Sequence, residues 1–273
     1  MKVGIIQLAI TEDKGKNINN ALIEIEALAK KGADIIVLPE MFNCPYNINY
    51  FPKYAEPCGG ECWHSLSKAA LENNIYLVGG SIPEIDHQGN IYNTSYIFDR
   101  KGVQIGKHRK IHLFDINVKD GQQFQESAVL KAGDSVTVFD SEFCKIGVAI
   151  CYDYRFPELS RLMVDKGAKI IIVPAAFSMT TGPAHWELLF RERAVDNQVY
   201  SIGVAPSRNY KASYVSYGNS IVVSPWGEVL LRLGEEEASA IIDINLDMVD
   251  KVREELPLLK HRRDDLYKVT SNT

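Results

Sequence analysis

The 273-residue chain is poor in several features, and each shortage removes a class of protein. Cysteine is scarce and odd in number. Cys44, Cys58, Cys62, Cys144 and Cys151 recur at no regular spacing, which argues against a disulfide framework. The expectation is a reducing, cytoplasmic setting in which these side chains are thiols. No apolar run comes near the roughly 20 residues that a membrane-spanning helix needs. Residues 1–10 are too short, and lack a cleavage site, for a signal peptide. There is no basic run and no basic patch interleaved with aromatics, and the formal net charge is −5. Neither nucleic acid nor a membrane is expected as a partner. No linker rich in proline, glycine, serine or charge interrupts the chain. The reading is one domain over residues 1–273, a core of roughly residues 1–255 followed by a charged tail, residues 256–273.

Several catalytic motifs are missing too. There is no Gly-x-Ser-x-Gly elbow, no Cys-Gly-Ser-Cys-Trp, and no glycine-flanked cysteine with a downstream His-x-Glu. His108 and His112 stand four apart, a spacing that on a helix could hold a metal, but no HExxH pattern or third ligand accompanies them. No metal is expected.

What remains is the alternation of an α/β fold. Residues 2–10, 34–38, 75–82, 92–99, 103–107, 136–139, 145–150, 169–173 and 200–205 read as strands, as do three later runs at 220–223, 229–233 and 240–244. Helices are expected over residues 17–31, 61–73, 159–166, 185–198 and 246–255, the first carrying Ile18, Leu22, Ile25 and Leu28 on one face. Residues 41–57 read as a loop over the active edge, and residues 108–130 as an irregular segment long enough to be functional. The run Gly32-Ala33-Asp34-Ile35-Ile36-Val37-Leu38-Pro39 is echoed by Gly167-Ala168-Lys169-Ile170-Ile171-Ile172-Val173-Pro174, and Lys2-Val3-Gly4-Ile5 by Lys145-Ile146-Gly147-Val148. The echo suggests two similar α/β halves whose sheets pack together with helices outside.

Three positions could carry chemistry. Cys151 ends a buried strand just before Pro157 opens a helix, and such strand tips are where open α/β sheets place their sites. Alone, it reads more readily as a buried small hydrophobe. Glu40 directly follows an apolar strand and a proline, where burial would raise a carboxyl pKa and suit a general base. Lys110 lies in a basic run that by itself reads as a solvated face. Together, Leu38-Pro39-Glu40, Arg109-Lys110-Ile111-His112-Leu113 and Ile150-Cys151-Tyr152-Asp153 resemble the Glu-Lys-Cys triad of the carbon–nitrogen hydrolase (nitrilase) superfamily, in order and over nearly the whole chain.

The resemblance implies a four-layer α-β-β-α sandwich and hydrolysis of an amide through a cysteine thioester, with no cofactor. Glu40 would be the base, Cys151 the nucleophile, and Lys110 with the Tyr152 N–H the oxyanion donors. Phe124-Gln125-Glu126-Ser127 resembles the family segment with a second active-site glutamate, which adds Glu126. The stretches at 40–46, 176–189, 193–200 and 211–215 resemble the branch that cleaves the terminal amide of small α-keto acids such as 2-oxoglutaramate and 2-oxosuccinamate. In that branch Arg155 would clamp the substrate carboxylate, unless it is a structural ion pair with Asp153 or Glu158. Phe177, Thr181 and Tyr46 would line the pocket. His185, Trp186 and Glu187 are expected to brace their helix or to meet a partner subunit. Family members generally assemble as homodimers or larger. The alternatives are a deaminated glutathione amidase, an N-carbamoyl amino acid hydrolase, or a silent binding member.

Overall fold

The computed structural model describes residues 1–119 and 122–271. Asp120, Gly121, Asn272 and Thr273, which fall in the expected irregular segment and tail, lie outside the described residues.

The elements run in order as β1 (Lys2–Gln7), α1 (Lys14–Lys30), β2 (Ile35–Val37), α2 (Phe51–Tyr54), α3 (Glu61–Asn73), β3 (Tyr76–Val78), β4 (Ile82–Ile85), β5 (Ile91–Phe98) and β6 (Gln104–Arg109). There follow β7 (Asp115–Asn117), β8 (Gln123–Gln125), β9 (Thr137–Asp140), β10 (Lys145–Val148), α4 (Pro157–Asp165), β11 (Ala168–Pro174) and α5 (Gly182–Asn197). The series closes with β12 (Tyr200–Val204), β13 (Ile221–Val223), β14 (Val229–Arg232), β15 (Ala238–Asp243) and α6 (Asp247–Glu255).

One sheet has the order β15-β1-β2-β3-β5-β4, with β6 on the free side of β5; the other runs β14-β13-β12-β11-β10-β9. In each, three central strands are parallel: β1, β2 and β3 in one, β10, β11 and β12 in the other. Strands buried on both faces must be apolar throughout, which is why these segments read as continuous Val/Ile/Leu runs. The inner faces meet in a core that includes Val3, Ile5, Ile35 and Val37 from one sheet and Ile146, Val148, Ile170 and Ile172 from the other. The outer face of the first sheet packs on α1 and α3 through Ile18, Ile25, Leu28 and Leu66. That of the second packs on α4 and α5 through Leu159, Met163, Trp186 and Phe190. The fold is therefore the expected four-layer α-β-β-α sandwich.

The echo in the sequence corresponds to an equivalence in topology, with β1-α1-β2 in one half matching β10-α4-β11 in the other. The equivalence is circular. Each parallel core is flanked on one side by an antiparallel strand, β9 beside β10 and β15 beside β1. β9 just precedes its core, whereas β15 comes from the far end of the chain.

Several boundaries differ from the sequence reading. The expected strand at 75–82 is two strands, because Gly79 and Gly80 break it, with Gly80 at φ +58°. An ideal Cβ on Gly80 would lie 2.1 Å from the Pro39 carbonyl oxygen, so only glycine lets these chains pass so closely. The first strand ends at Gln7 rather than residue 10, and its helix starts at Lys14, where Asp13 caps it by accepting from the Lys16 N–H at 2.9 Å. The segment at 108–130 holds more order than expected, since β6 runs to Arg109 and β7 pairs with β8. The loop at 41–57 contains the short helix α2. Among the described residues, no helix is long and apolar enough to cross a membrane.

Candidate active site

The strand tips of the two sheets converge on one buried cluster. Glu40 lies three residues past the end of β2, Lys110 follows β6 immediately, Cys151 lies three residues past the end of β10, and Glu126 opens a 3-10 turn, Glu126–Ala128, just past β8. Glu40, Lys110 and Glu126 are fully buried, and Cys151 is 4% exposed. Two backbone positions at the cluster are left-handed: Met41 at φ 51° and Cys151 at φ 49°. Each costs about 1–3 kcal/mol for a residue with a side chain. The conformation at Cys151 turns the chain sharply off the strand, so the thiol stands at the strand tip.

Lys110 is the hub. Its Nζ donates to Glu40 Oε1 at 3.0 Å, to Glu126 Oε1 at 2.9 Å and to the Tyr46 hydroxyl at 3.2 Å. Tyr46 donates to Glu126 Oε1 at 2.5 Å, and Glu126 Oε2 accepts the Phe114 N–H at 2.7 Å. Glu40 Oε1 also accepts from Asn93 Nδ2 at 2.8 Å. The other oxygen, Oε2, is buried with no hydrogen-bond partner among the described residues, while the Cys151 thiol acts on this same carboxyl. One oxygen is thus tied down by two donors, and the other is left for a proton.

The electrostatics follow from burial. Burial pushes the Glu40 carboxyl above its ordinary value; Lys110 opposes this without cancelling it. Burial alone would depress Lys110, but the Glu126 and Glu40 carboxylates outweigh it and hold the ammonium firmly charged. The Cys151 thiol is raised well above the ordinary thiol range by burial and by Glu40, against the pull of Lys110 and the Ala176 backbone. The resting site therefore holds a neutral thiol beside a proton-seeking carboxylate, not a preformed thiolate. A nucleophilic role for this thiol would require attack to be coupled to proton transfer.

A cavity of about 470 Å³ reaches the cluster, lined by Glu40, Tyr46, Ala176, Lys211, Ser213 and Tyr214 among others. Tyr46 packs against Phe124 and Tyr214, with ring centroids 5.5 and 4.6 Å away. Arg155, Phe177 and Thr181 do not line this cavity. The Arg155 guanidinium lies 4.6 Å above the Phe177 ring and 5.7 Å from the Tyr152 ring, near enough to Cys151 to feel a thiolate there. Thr181 sits at the N-terminus of α5, half-buried, with no contact that ties it to the cluster.

The alternative of a structural ion pair at Arg155 does not hold. Asp153 is occupied by His108 and His112, and no carboxylate pairs with Arg155 among the described residues. Arg155 Nη1 instead meets His185 Nδ1 at 3.0 Å, and burial without an anionic partner lowers its pKa. His185 thus supports Arg155, whereas Trp186 donates to the Asn219 carbonyl at 2.7 Å and Glu187 pairs with Arg232 at 2.7 Å. His108 lies on β6 and His112 just beyond it, so the helical spacing does not apply.

The sequence reading missed Asn93, whose side chain holds Glu40 while its carbonyl accepts the Lys110 N–H at 2.8 Å. It also missed Tyr214, whose hydroxyl donates to the Ala176 carbonyl. Asn93 left one signal, a buried polar run Asn93-Thr94-Ser95 inside a strand.

The family model described as carbon-nitrogen hydrolase matches residues 2–254. Omega-amidase NIT2 of Xenopus tropicalis is 50% identical over 268 residues, covering 98% of this chain and 97% of that protein. Omega-amidase NIT2 of Homo sapiens is 49% identical over the same coverage. The crystal structure of Saccharomyces cerevisiae Nit3, described as a member of branch 10 of the nitrilase superfamily, is 42% identical and superposes with a TM-score of 0.89, covering 96% of each chain. With its strand tips converging on a glutamate, a lysine and a cysteine, the chain belongs to the carbon–nitrogen hydrolase (nitrilase) superfamily.

Proposed function

We propose that the chain is an omega-amidase, hydrolysing the terminal amide of a small α-keto acid such as 2-oxoglutaramate or 2-oxosuccinamate to the acid and ammonia. The observation that carries the chemistry is the buried Lys110 ammonium between Glu40 and Glu126, with the Cys151 thiol near enough to act on the Glu40 carboxyl. Half-identity over nearly the full length to omega-amidases supports the substrate class.

In this reading Glu40 takes the thiol proton as Cys151 Sγ attacks the amide carbon, forming the C–S bond and pushing the carbonyl electrons onto oxygen. Lys110 Nζ and the Tyr152 N–H receive that oxyanion. Tyr152 is the second residue of a 3-10 turn, Cys151–Arg155, where N–H groups have no carbonyl inside the turn to bond. Losing one such donor costs about 10²–10³ in rate. Protonated Glu40 then gives its proton to the leaving nitrogen, and ammonia departs as the C–N bond breaks. Water attacks the thioester with Glu40 again as base, and the acid leaves as the thiol reforms. Glu126 and Tyr46 hold Lys110 in place throughout. Arg155, without a carboxylate of its own, pairs with the carboxylate at the far end of the substrate. A two-pronged guanidinium fits this role better than an ammonium would.

The test is ammonia release from 2-oxoglutaramate, succinamate, deaminated glutathione and N-carbamoyl amino acids, for the wild type and Cys151→Ala. The reading expects the keto acid amide to rank first in kcat/KM, carbon dioxide to be absent, and the variant to be folded and inactive. Turnover retained in Cys151→Ala overturns the mechanism, and a higher kcat/KM on another amide overturns the substrate.

A further inference from the structure

The active groups come from two different sheets, so something must fix the distance between them. Asp153, two residues beyond Cys151, is fully buried and accepts five hydrogen bonds. Oδ2 takes the Ile150 N–H at 3.0 Å and His108 Nε2 at 3.0 Å. Oδ1 takes the Ile111 N–H at 3.2 Å, the His112 N–H at 2.8 Å and His112 Nδ1 at 2.8 Å. Ile150 immediately precedes the nucleophile, and Ile111 immediately follows Lys110. One carboxylate thus joins the backbone beside the thiol to the backbone beside the ammonium.

We infer that Asp153 is the positioning residue that sets the spacing between Cys151 and Lys110, by tying the turn after β10 to the segment after β6. This rests on the amide-hydrolase reading above and adds a residue that touches no substrate.

The surroundings are built to keep the tie. His108 is fully buried, and its Nδ1 lies 3.0 Å from the Thr137 hydroxyl, which in turn donates to the Lys107 carbonyl at 3.2 Å. Both ring nitrogens therefore have hydrogen-bond partners, and the ring cannot swing away from Asp153 without stranding one of them. His112 is pinned on its other side by stacking on Phe156, centroids 3.7 Å apart and planes within 10°. These donors overcome the cost of burial and hold the Asp153 carboxyl below the usual range, so it stays an acceptor for all five.

An amide at this position keeps the size but puts a donor where one oxygen had accepted. In Asp153→Asn, Nδ2 must face either the Ile150 and His108 donors or the Ile111 and His112 donors, and that half of the tie opens. A shift of about 1 Å between reacting groups costs on the order of 100-fold in rate. The expected result for Asp153→Asn is a fall in kcat of about 100-fold with KM held within about threefold, because the substrate contacts are elsewhere. The alkylation of Cys151 by iodoacetamide should also change, its pH midpoint moving by about one unit or more as Lys110 and Glu40 lose register with the thiol.

His112→Phe is the second variant. It keeps the stack on Phe156 and removes one side-chain bond from a half-buried position, so the fold is preserved. Its kcat should fall about three- to tenfold at unchanged KM, the net worth of one ordinary hydrogen bond at a half-buried position. Kinetic constants and an alkylation profile that match the wild type in both variants overturn the inference, as does a loss confined to KM. Should circular dichroism show Asp153→Asn unfolded, His112→Phe decides by the same criteria. Should the wild type hydrolyse no keto acid amide, the substrate reading fails, while the alkylation profiles still test the tie.

Discussion

Removing the Arg155 guanidinium separates recognition from chemistry at this site. The side chain is half-buried, flanked by Phe177 and Tyr152, braced by His185, and without a carboxylate partner among the described residues. An unpaired buried cation contributes little to stability, so Arg155→Ala should fold normally. A substrate carboxylate would accept two parallel charge-assisted bonds from the fork, each worth about 1.5–3 kcal/mol. Allowing for side-chain ordering, the net loss on truncation is about 3–4 kcal/mol, or roughly 140- to 720-fold in kcat/KM at about 1.4 kcal/mol per decade. The assay compares 2-oxoglutaramate with pentanamide, a neutral amide of equal chain length. Pentanamide gives the fork no anion, so its kcat/KM should change by less than about threefold. Arg155→Lys should recover about tenfold on the acid substrate, since an ammonium supplies charge without the fork. Equal losses on both substrates would show that Arg155 supports the fold or the nucleophile, and would refute the clamp.

Other consequences can be measured independently. In the proposed mechanism Glu40 works as the carboxylate, and its pKa is raised by burial, so the acid limb of kcat/KM should lie above the ordinary 4.5; a limb at or below that value contradicts the assignment. Gly80→Ala should destabilise the fold by about 3 kcal/mol and lower kcat, because a Cβ 2.1 Å from the Pro39 carbonyl pushes on the turn that carries Glu40. Urea titration and kinetics check both effects, and a wild-type midpoint with full activity would exclude the clash. Asp196 is pushed up to about 6, mainly by burial, so its ionisation opposes folding above that pH. Asp196→Asn should therefore gain stability at pH 8, the gain shrinking as pH falls through 6 and vanishing below 3.8, where both states are protonated. Equal gains at pH 8 and pH 3.5 would reverse that reasoning.

Much of this was legible in the primary structure, for a physical reason. A strand buried on both faces admits few residue types, so Ile35-Ile36-Val37 and Ile170-Ile171-Ile172 announce themselves, and a Glu or Cys at the end of such a run is conspicuous. Lys110 was legible only beside those two, since its own neighbours spell a surface. Asn93 and Asp153 were not legible as site residues. Asn93 acts across the sheet on Glu40, 53 positions away in the chain, and Asp153 acts on backbone groups more than 40 positions away. Local pattern carries no trace of such pairings. Arg155 was read with two candidate partners nearby, and only the fold showed that Asp153 was already occupied by two histidines. Gly79-Gly80 looked like the interior of one strand because flanking apolar residues hide a crossing that is visible only in three dimensions.

The edge strand β15 gives the two halves unequal histories during synthesis. The second sheet is contiguous, built wholly from residues 137–232, and can pair as it leaves the ribosome. The first sheet has β1 as its outermost parallel strand and waits for Ala238–Asp243 to cover the free edge of that strand, a pairing that joins Lys2 to Asp243. For most of translation β1 thus carries an open row of N–H and C=O groups next to a very apolar sequence. Closing it is a contact of the longest range the chain offers, and such contacts form late. A nascent chain stalled before residue 238 should accordingly hold chaperones far longer than one stalled after residue 243.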